Sequence, residues 1–151
     1  MSVSRAVVDS FALYRIVDAH TPAAADIREA TFEGRLKLLA PAMVIAVTGA
    51  MRTCWDDECT ERHGLLGRKL SAFCERSGIE SGCPEPDLVI EAGRLYAAST
   101  AMRIEGPEVL AACHASRMAS EHHCELLTAS RAAYCYRAAD SAGIRVSMRP
   151  I

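Results

Sequence analysis

Short apolar runs alternate along this chain with stretches of helical period, and that alternation predicts an α/β sheet with crossover helices. Residues 5–9, RAVVD, open as a buried strand that ends on an acid. Ser10 is placed to cap a short helix over 11–17. Thr21 followed by Pro22 restarts the chain as a second helix through Glu33, closed by Gly34. Residues 36–40, LKLLA, read as the second strand, stopped by Pro41.

Beyond Pro41 the period changes. Met43, Val44, Val47, Ala50, Met51 and Cys54 recur at helical spacing as one apolar stripe, so this helix is expected to lie against the sheet with Val47 in the core. A more polar helix over 56–76 carries Leu66, Leu70 and Phe73 on one side, loosens near Gly64 and Gly67, and ends at Ser77 and Gly78. A short third strand is expected over 79–83. The stripe Leu88, Ala92, Leu95 and Ser99 predicts a helix over 87–99, and Gly106 with Pro107 begins another that runs to about Glu121. CELLT, 124–128, is the fourth strand. Residues 131–141 read as helical, Gly143 as their cap, and IRVSM, 144–148, as a last strand. The predicted order is β-α-α-β-α-α-β-α-α-β-α-β: a mostly parallel central sheet with helices on both faces and right-handed connections. No repeat, low-complexity tract or linker interrupts it, so residues 1–151 are expected to form a single domain.

Composition narrows the function classes. The chain is half hydrophobic and carries a net charge of -2, so it offers no strong field for nucleic acid or an anionic membrane. RNA binding would have to rest on a local patch or a metal. The longest uncharged run, 38–51, contains a proline and is too short to cross a bilayer. The N-terminal MSVSRAVVD reaches an acid before any apolar segment of signal-peptide length, and a cytoplasmic location is expected.

The seven cysteines include no CxxC unit and read as small buried hydrophobes. A structural zinc site would join Cys54, Cys59 and His63, but no fourth ligand stands at a finger or ribbon spacing. The run Trp55, Asp56, Asp57 and Glu58 reads as a solvated turn. His114, His122 and His123, near Cys113 and Cys124, read as the polar termination of the helix before strand four.

Four strings occur in a telling order and spacing: AVVDS at 6–10, LLAPAMVIAV at 38–47, RMASEHHCELLTAS at 117–130 and AGIRV at 142–146. Together with the layout they make the chain resemble the PIN domain, in particular the VapC-type toxin ribonucleases of toxin–antitoxin pairs. The resemblance implies a three-layer PIN-like fold and cleavage of RNA by carboxylates that hold magnesium or manganese. Hard divalent cations require oxygen ligands, and the bound ion activates water and neutralises charge on the phosphate.

The family pattern places an Asp at the end of the first strand, a Glu on the helix after the second, an Asp on the helix before the fourth, and an Asp just after it. Asp9 matches the first position. Val47, Ala112 and Ser130 stand at the other three. Glu108, one helical turn before Ala112, is the displaced candidate for a second carboxylate. The resemblance thus implies a reduced catalytic set of Asp9, Glu108, Ser130 and Ser10, with Asp9 and Glu108 as ligands of Mg2+ or Mn2+ if the protein is active. Phe11 departs from the small residue usual two places after the first acid and is expected to crowd the cleft. The implied partners are an antitoxin-like protein, RNA and a second copy of the chain, with no membrane.

Two functions follow as expectations. One is a VapC-like, metal-dependent endoribonuclease of weakened activity. The other is a catalytically inactive PIN-fold binding module that docks to an antitoxin-like partner, to itself or to RNA.

Overall fold

The computed structural model describes residues 2–51, 57–82 and 85–151, and for 57–66 the backbone alone. Strand β1 (Ser4–Val8) lies in the middle of the sheet. β2 (Leu36–Leu39) pairs on one side of it and β3 (Glu125–Thr128) on the other, with β4 (Met148–Pro150) outside β3. Every pairing is parallel. Helices α1 (Ser10–Asp18), α2 (Pro22–Phe32), α3 (Ala42–Met51), α4 (Asp57–Ser77), α5 (Pro86–Ala101), α6 (Pro107–His122) and α7 (Arg137–Ser141) flank the sheet in a three-layer α/β arrangement. A parallel sheet covered on both faces needs strands that are apolar on both sides. Ala6, Val7 and Val8 meet that need, as do Leu126 and Leu127, and all five are buried.

Register positions the end of the sheet. Val8 pairs with Leu127, so the residues that follow them, Asp9 and Thr128, emerge side by side at the carboxyl ends of the two central strands. Helix α3 packs Val44, Val47 and Thr48 into the core, and Thr48 satisfies its hydroxyl by donating to the Val44 carbonyl at 2.7 Å. No helix among the described residues is long and apolar enough to cross a membrane.

Four sequence expectations are corrected. The third strand reduces to one bridge, Leu39 to Glu80, with Ala40 N–H donating to the Glu80 carbonyl at 2.9 Å and Glu80 N–H to the Leu38 carbonyl at 3.0 Å. Glu80, Ser81 and Gly82 have no apolar face to bury, and Glu80 instead pairs with Arg5 and Lys37 at the surface; Cys83 lies outside the described residues. The last strand begins at Met148 rather than Ile144, because Ile144 and Val146 are spent as half-buried loop residues against the core before pairing with β3 starts. Ser10 is the first residue of α1, and Asp9 is its cap. The helix expected over 131–141 divides into a 3-10 segment (Ser130–Tyr136) and α7. The tighter turn, three residues per repeat, puts Ala132 and Cys135 on one buried face.

Candidate functional site

Asp9 adopts extended backbone between β1 and α1, so its side chain turns back over the first turn of the helix. Its Oδ1 accepts from the Ala12 N–H at 2.8 Å. Its Oδ2 accepts from the Thr128 hydroxyl at 2.5 Å and from the Tyr136 hydroxyl at 2.5 Å. The three donors come from the start of α1, the end of β3 and the end of the 3-10 segment. Asp9 is 1% exposed.

Burial pushes the Asp9 carboxyl above its ordinary value and outweighs the opposing effect of the bonds from Thr128, Tyr136 and the backbone. The Tyr136 phenol is also held well above its usual value, by burial first and then by the facing Asp9 charge. In this pair the Tyr136 hydroxyl donates and Asp9 accepts.

Glu108 stands in the first turn of α6, half-buried, and accepts from the Tyr134 hydroxyl at 3.2 Å. Its carboxylate folds over Gly106, where φ is +137° and an added Cβ would lie 2.6 Å from Glu108 Oε1. That positive φ is one that glycine adopts freely and L side chains rarely do. Asp9 and Glu108 thus each hold a tyrosine of the same 3-10 segment. Cys135, between those tyrosines in sequence, has its thiol pushed up to about 12, chiefly by burial, with both carboxylates adding to the rise.

The remaining candidates lie apart from this network. Ser10 is buried and its hydroxyl has no hydrogen-bond partner, while its carbonyl accepts from Thr48 Oγ1 at 3.4 Å. Ser130 opens the 3-10 segment as an exposed residue. Val47 and Ala112 are core residues. Phe11 is buried, and the guanidinium of the exposed Arg131 lies 5.3 Å from its ring centroid.

A divalent ion of the kind the resemblance implies needs free oxygen lone pairs from several groups. Both oxygens of Asp9 are taken by protein donors, Glu108 is engaged by Tyr134, and two of the four expected positions are apolar core. The residues present do not fit such an ion. Among the described residues no group of three or more His, Cys, Asp or Glu side chains could hold a metal.

The histidines do not gather either. His114 is buried with Nδ1 unpartnered, its ring held below the ordinary value by burial, whereas His122 and His123 are exposed. Cys54 and the side chains of Cys59, His63 and the acidic run 55–58 lie outside the described residues. A cavity of about 500 Å³ lies elsewhere, between the start of α5 and the end of α6, lined in part by Asp87, Glu91, Arg117 and Glu121.

The sequence reading missed Thr128, Tyr134 and Tyr136 as partners of the two carboxylates. Thr128 carried a signal, since it ends the apolar strand two residues before Ser130. The tyrosines carried none, because no periodic pattern connects residues so far apart.

No family model and no curated protein matches this chain. A solved structure does: a chain in the crystal structure of VapBC2 from Rickettsia felis bound to a DNA fragment from their promoter is similar to it. The two are 13% identical with a TM-score of 0.62, over 97% of this chain and 98% of that one. At that identity the likeness shows the fold, which is PIN-like α/β.

Proposed function

We propose that this chain is a VapC-like partner in a toxin–antitoxin pair that acts by binding a small antitoxin-like protein, its crevice closed by hydrogen bonds in place of a metal centre. One observation carries this reading: Asp9, the acid that would anchor the ion, is buried and saturated by Ala12, Thr128 and Tyr136. Val47 and Ala112 support it, since each puts apolar core where a carboxylate ligand would stand. The likeness to a chain of the VapBC2 complex supports the kind of partner.

A second reading keeps the enzyme. Asp9 and Glu108 would hold magnesium or manganese, Ser10 and Ser130 would assist water or phosphate, and RNA would be the substrate. Arg131, exposed and stacked over Phe11 two residues after Asp9, favours it, because a guanidinium suits an arriving phosphate. It requires both tyrosines to release their carboxylates first.

The deciding experiment incubates RNA with the purified protein and with Asp9→Asn, in magnesium and in manganese. The binding reading expects no metal-dependent cleavage that separates the two proteins. It also expects the small protein encoded beside this chain to form a stable complex with both. Cleavage that needs the metal and disappears in Asp9→Asn overturns it in favour of the enzyme.

A further inference from the structure

Residues 130–141 contain no glycine or proline, and Ala132, Ala133, Ala138 and Ala139 with Arg131 and Arg137 favour an α-helix throughout. The chain does not form one. Ser130–Tyr136 is a 3-10 run of seven residues, in which the Ala132 N–H donates to the Ala129 carbonyl at 2.9 Å and the Arg137 N–H to the Tyr134 carbonyl. Such runs seldom exceed three or four residues. Helix α7 follows without a gap, and the change of winding falls at Tyr136, whose φ of -104° and ψ of 3° lie in the bridge region.

What overrides local preference is a pair of acids. Tyr134 donates to Glu108 on α6, and Tyr136 to Asp9 at the end of β1, two elements that pack together. At roughly 120° per residue the two phenols point about 120° apart, which lets each reach its own acid. At roughly 100° per residue they would point about 160° apart, toward nearly opposite faces. An α-helix over the same residues would turn one phenol out of reach.

We propose that Ser130–Tyr136 is a two-state gate over the crevice, closed as a 3-10 segment pinned by both tyrosines and open as an α-helical extension of α7. Opening frees Asp9 and Glu108 together, because one segment carries both pins. The gate rests on the closed crevice of the functional reading above and supplies its regulation. Any ligand of the two carboxylates must compete with the tyrosines, so its apparent affinity is reduced by the fraction of molecules that are open.

Cys135 lies between the pins and reports the open state, while Cys113, on α6 and equally buried at 2% exposure, reports general loosening. Timed iodoacetamide labelling of the chain alone, read by peptide mass spectrometry, gives both rates. Cys135 is expected to react about fivefold faster in Tyr134→Phe and at least about 25-fold faster when Tyr136→Phe is added, each lost hydrogen bond being roughly a fivefold change. Cys113 should keep the parent's rate. Glu108→Ala removes the acceptor in place of the donor, so it should match Tyr134→Phe and add nothing to it. In the double tyrosine variant the 13Cα shifts of residues 130–136 should move to α-helical values.

Equal Cys135 rates in the parent and the double variant overturn the proposal, as do 13Cα shifts that stay where the parent has them. A rise at Cys113 that keeps pace with Cys135 overturns it too, since the whole fold then loosens. Tyr134 is 38% exposed, so Tyr134→Phe alone decides the matter if the double variant fails to fold. No partner or RNA is present in these measurements. Their failure removes the gate alone, whereas an antitoxin-like complex that does not form removes the functional reading.

Discussion

Tyr136 donates its hydroxyl to Asp9 across 127 positions of the chain, at 2.5 Å, and the bond closes the carboxyl end of the central strand. Thr128 donates to the same oxygen and Ala12 N–H to the other, so removing the carboxylate orphans three buried donors. Asp9→Ala is expected to cost roughly 3 kcal/mol by urea unfolding, and Tyr136→Phe about 1 kcal/mol. Asp9→Asn should cost less than Asp9→Ala, since its carbonyl can still cap α1. An Asp9→Ala variant as stable as the parent would show that the network contributes nothing to folding.

The pH dependence has a definite sign. Burial raises the Asp9 carboxyl above its unfolded value, so the folded protein holds that proton to higher pH than the unfolded chain does. The contribution of this group is fully present below the unfolded value of about 3.9 and is lost as pH rises through the folded one. The parent should therefore lose stability relative to Asp9→Asn as pH is raised from about 4 toward neutrality. Urea midpoints of the two proteins, followed across that range, test this; a constant gap between them contradicts the shift.

Acids placed at the positions where PIN domains carry them should have unequal effects. Ala112 is 1% exposed, and Ala112→Asp buries a carboxylate with no partner, at an expected cost of more than about 3 kcal/mol. Ser130 is exposed, and Ser130→Asp should change stability by no more than about 0.5 kcal/mol. Manganese should leave the melting temperature of the parent unchanged, because an ion without a site on the folded state cannot stabilise it. A clear upward shift in the parent would reveal a metal site after all.

Thiol reactivity offers an independent check on the closed crevice. Cys113 and Cys135 are buried, with thiols pushed up to about 11 and about 12, so little thiolate exists near neutral pH. Under native conditions iodoacetamide should label Cys124, which is half-buried, well before these two. Peptide mass spectrometry after timed quenching gives the order, and rapid native labelling of Cys135 would mean that the 3-10 segment opens readily.

Most of the layout could be read from the residues because it rests on local pattern. The RAVVD and CELLT runs are apolar on both faces, as strands of a covered parallel sheet must be, and the Val44 and Val47 stripe marks a helix against that sheet. Elements without such a pattern were misjudged. The bridge at Glu80 is held by backbone pairing, and the apolar residues Ile144 and Val146 serve a loop with strand-like composition.

At the site, Asp9 was identifiable from its place at the end of a buried strand. What surrounds it was not, because Tyr136 meets Asp9 only after the sheet has brought together two segments that share no motif. Glu108 was singled out by counting one helical turn, but the left-handed backbone of Gly106 that precedes it emerges only from backbone geometry.

The central position of β1 bears on how the protein reaches its fold. The first strand made is flanked on one side by β3, and Asp9 lies 119 positions from the threonine that binds it. During synthesis that edge must wait, unpaired, until the distal third of the chain arrives, a long loop to close before any reward is gained. Folding should consequently be slow for a chain of this length, with the incomplete sheet exposed to aggregation until the last strands dock.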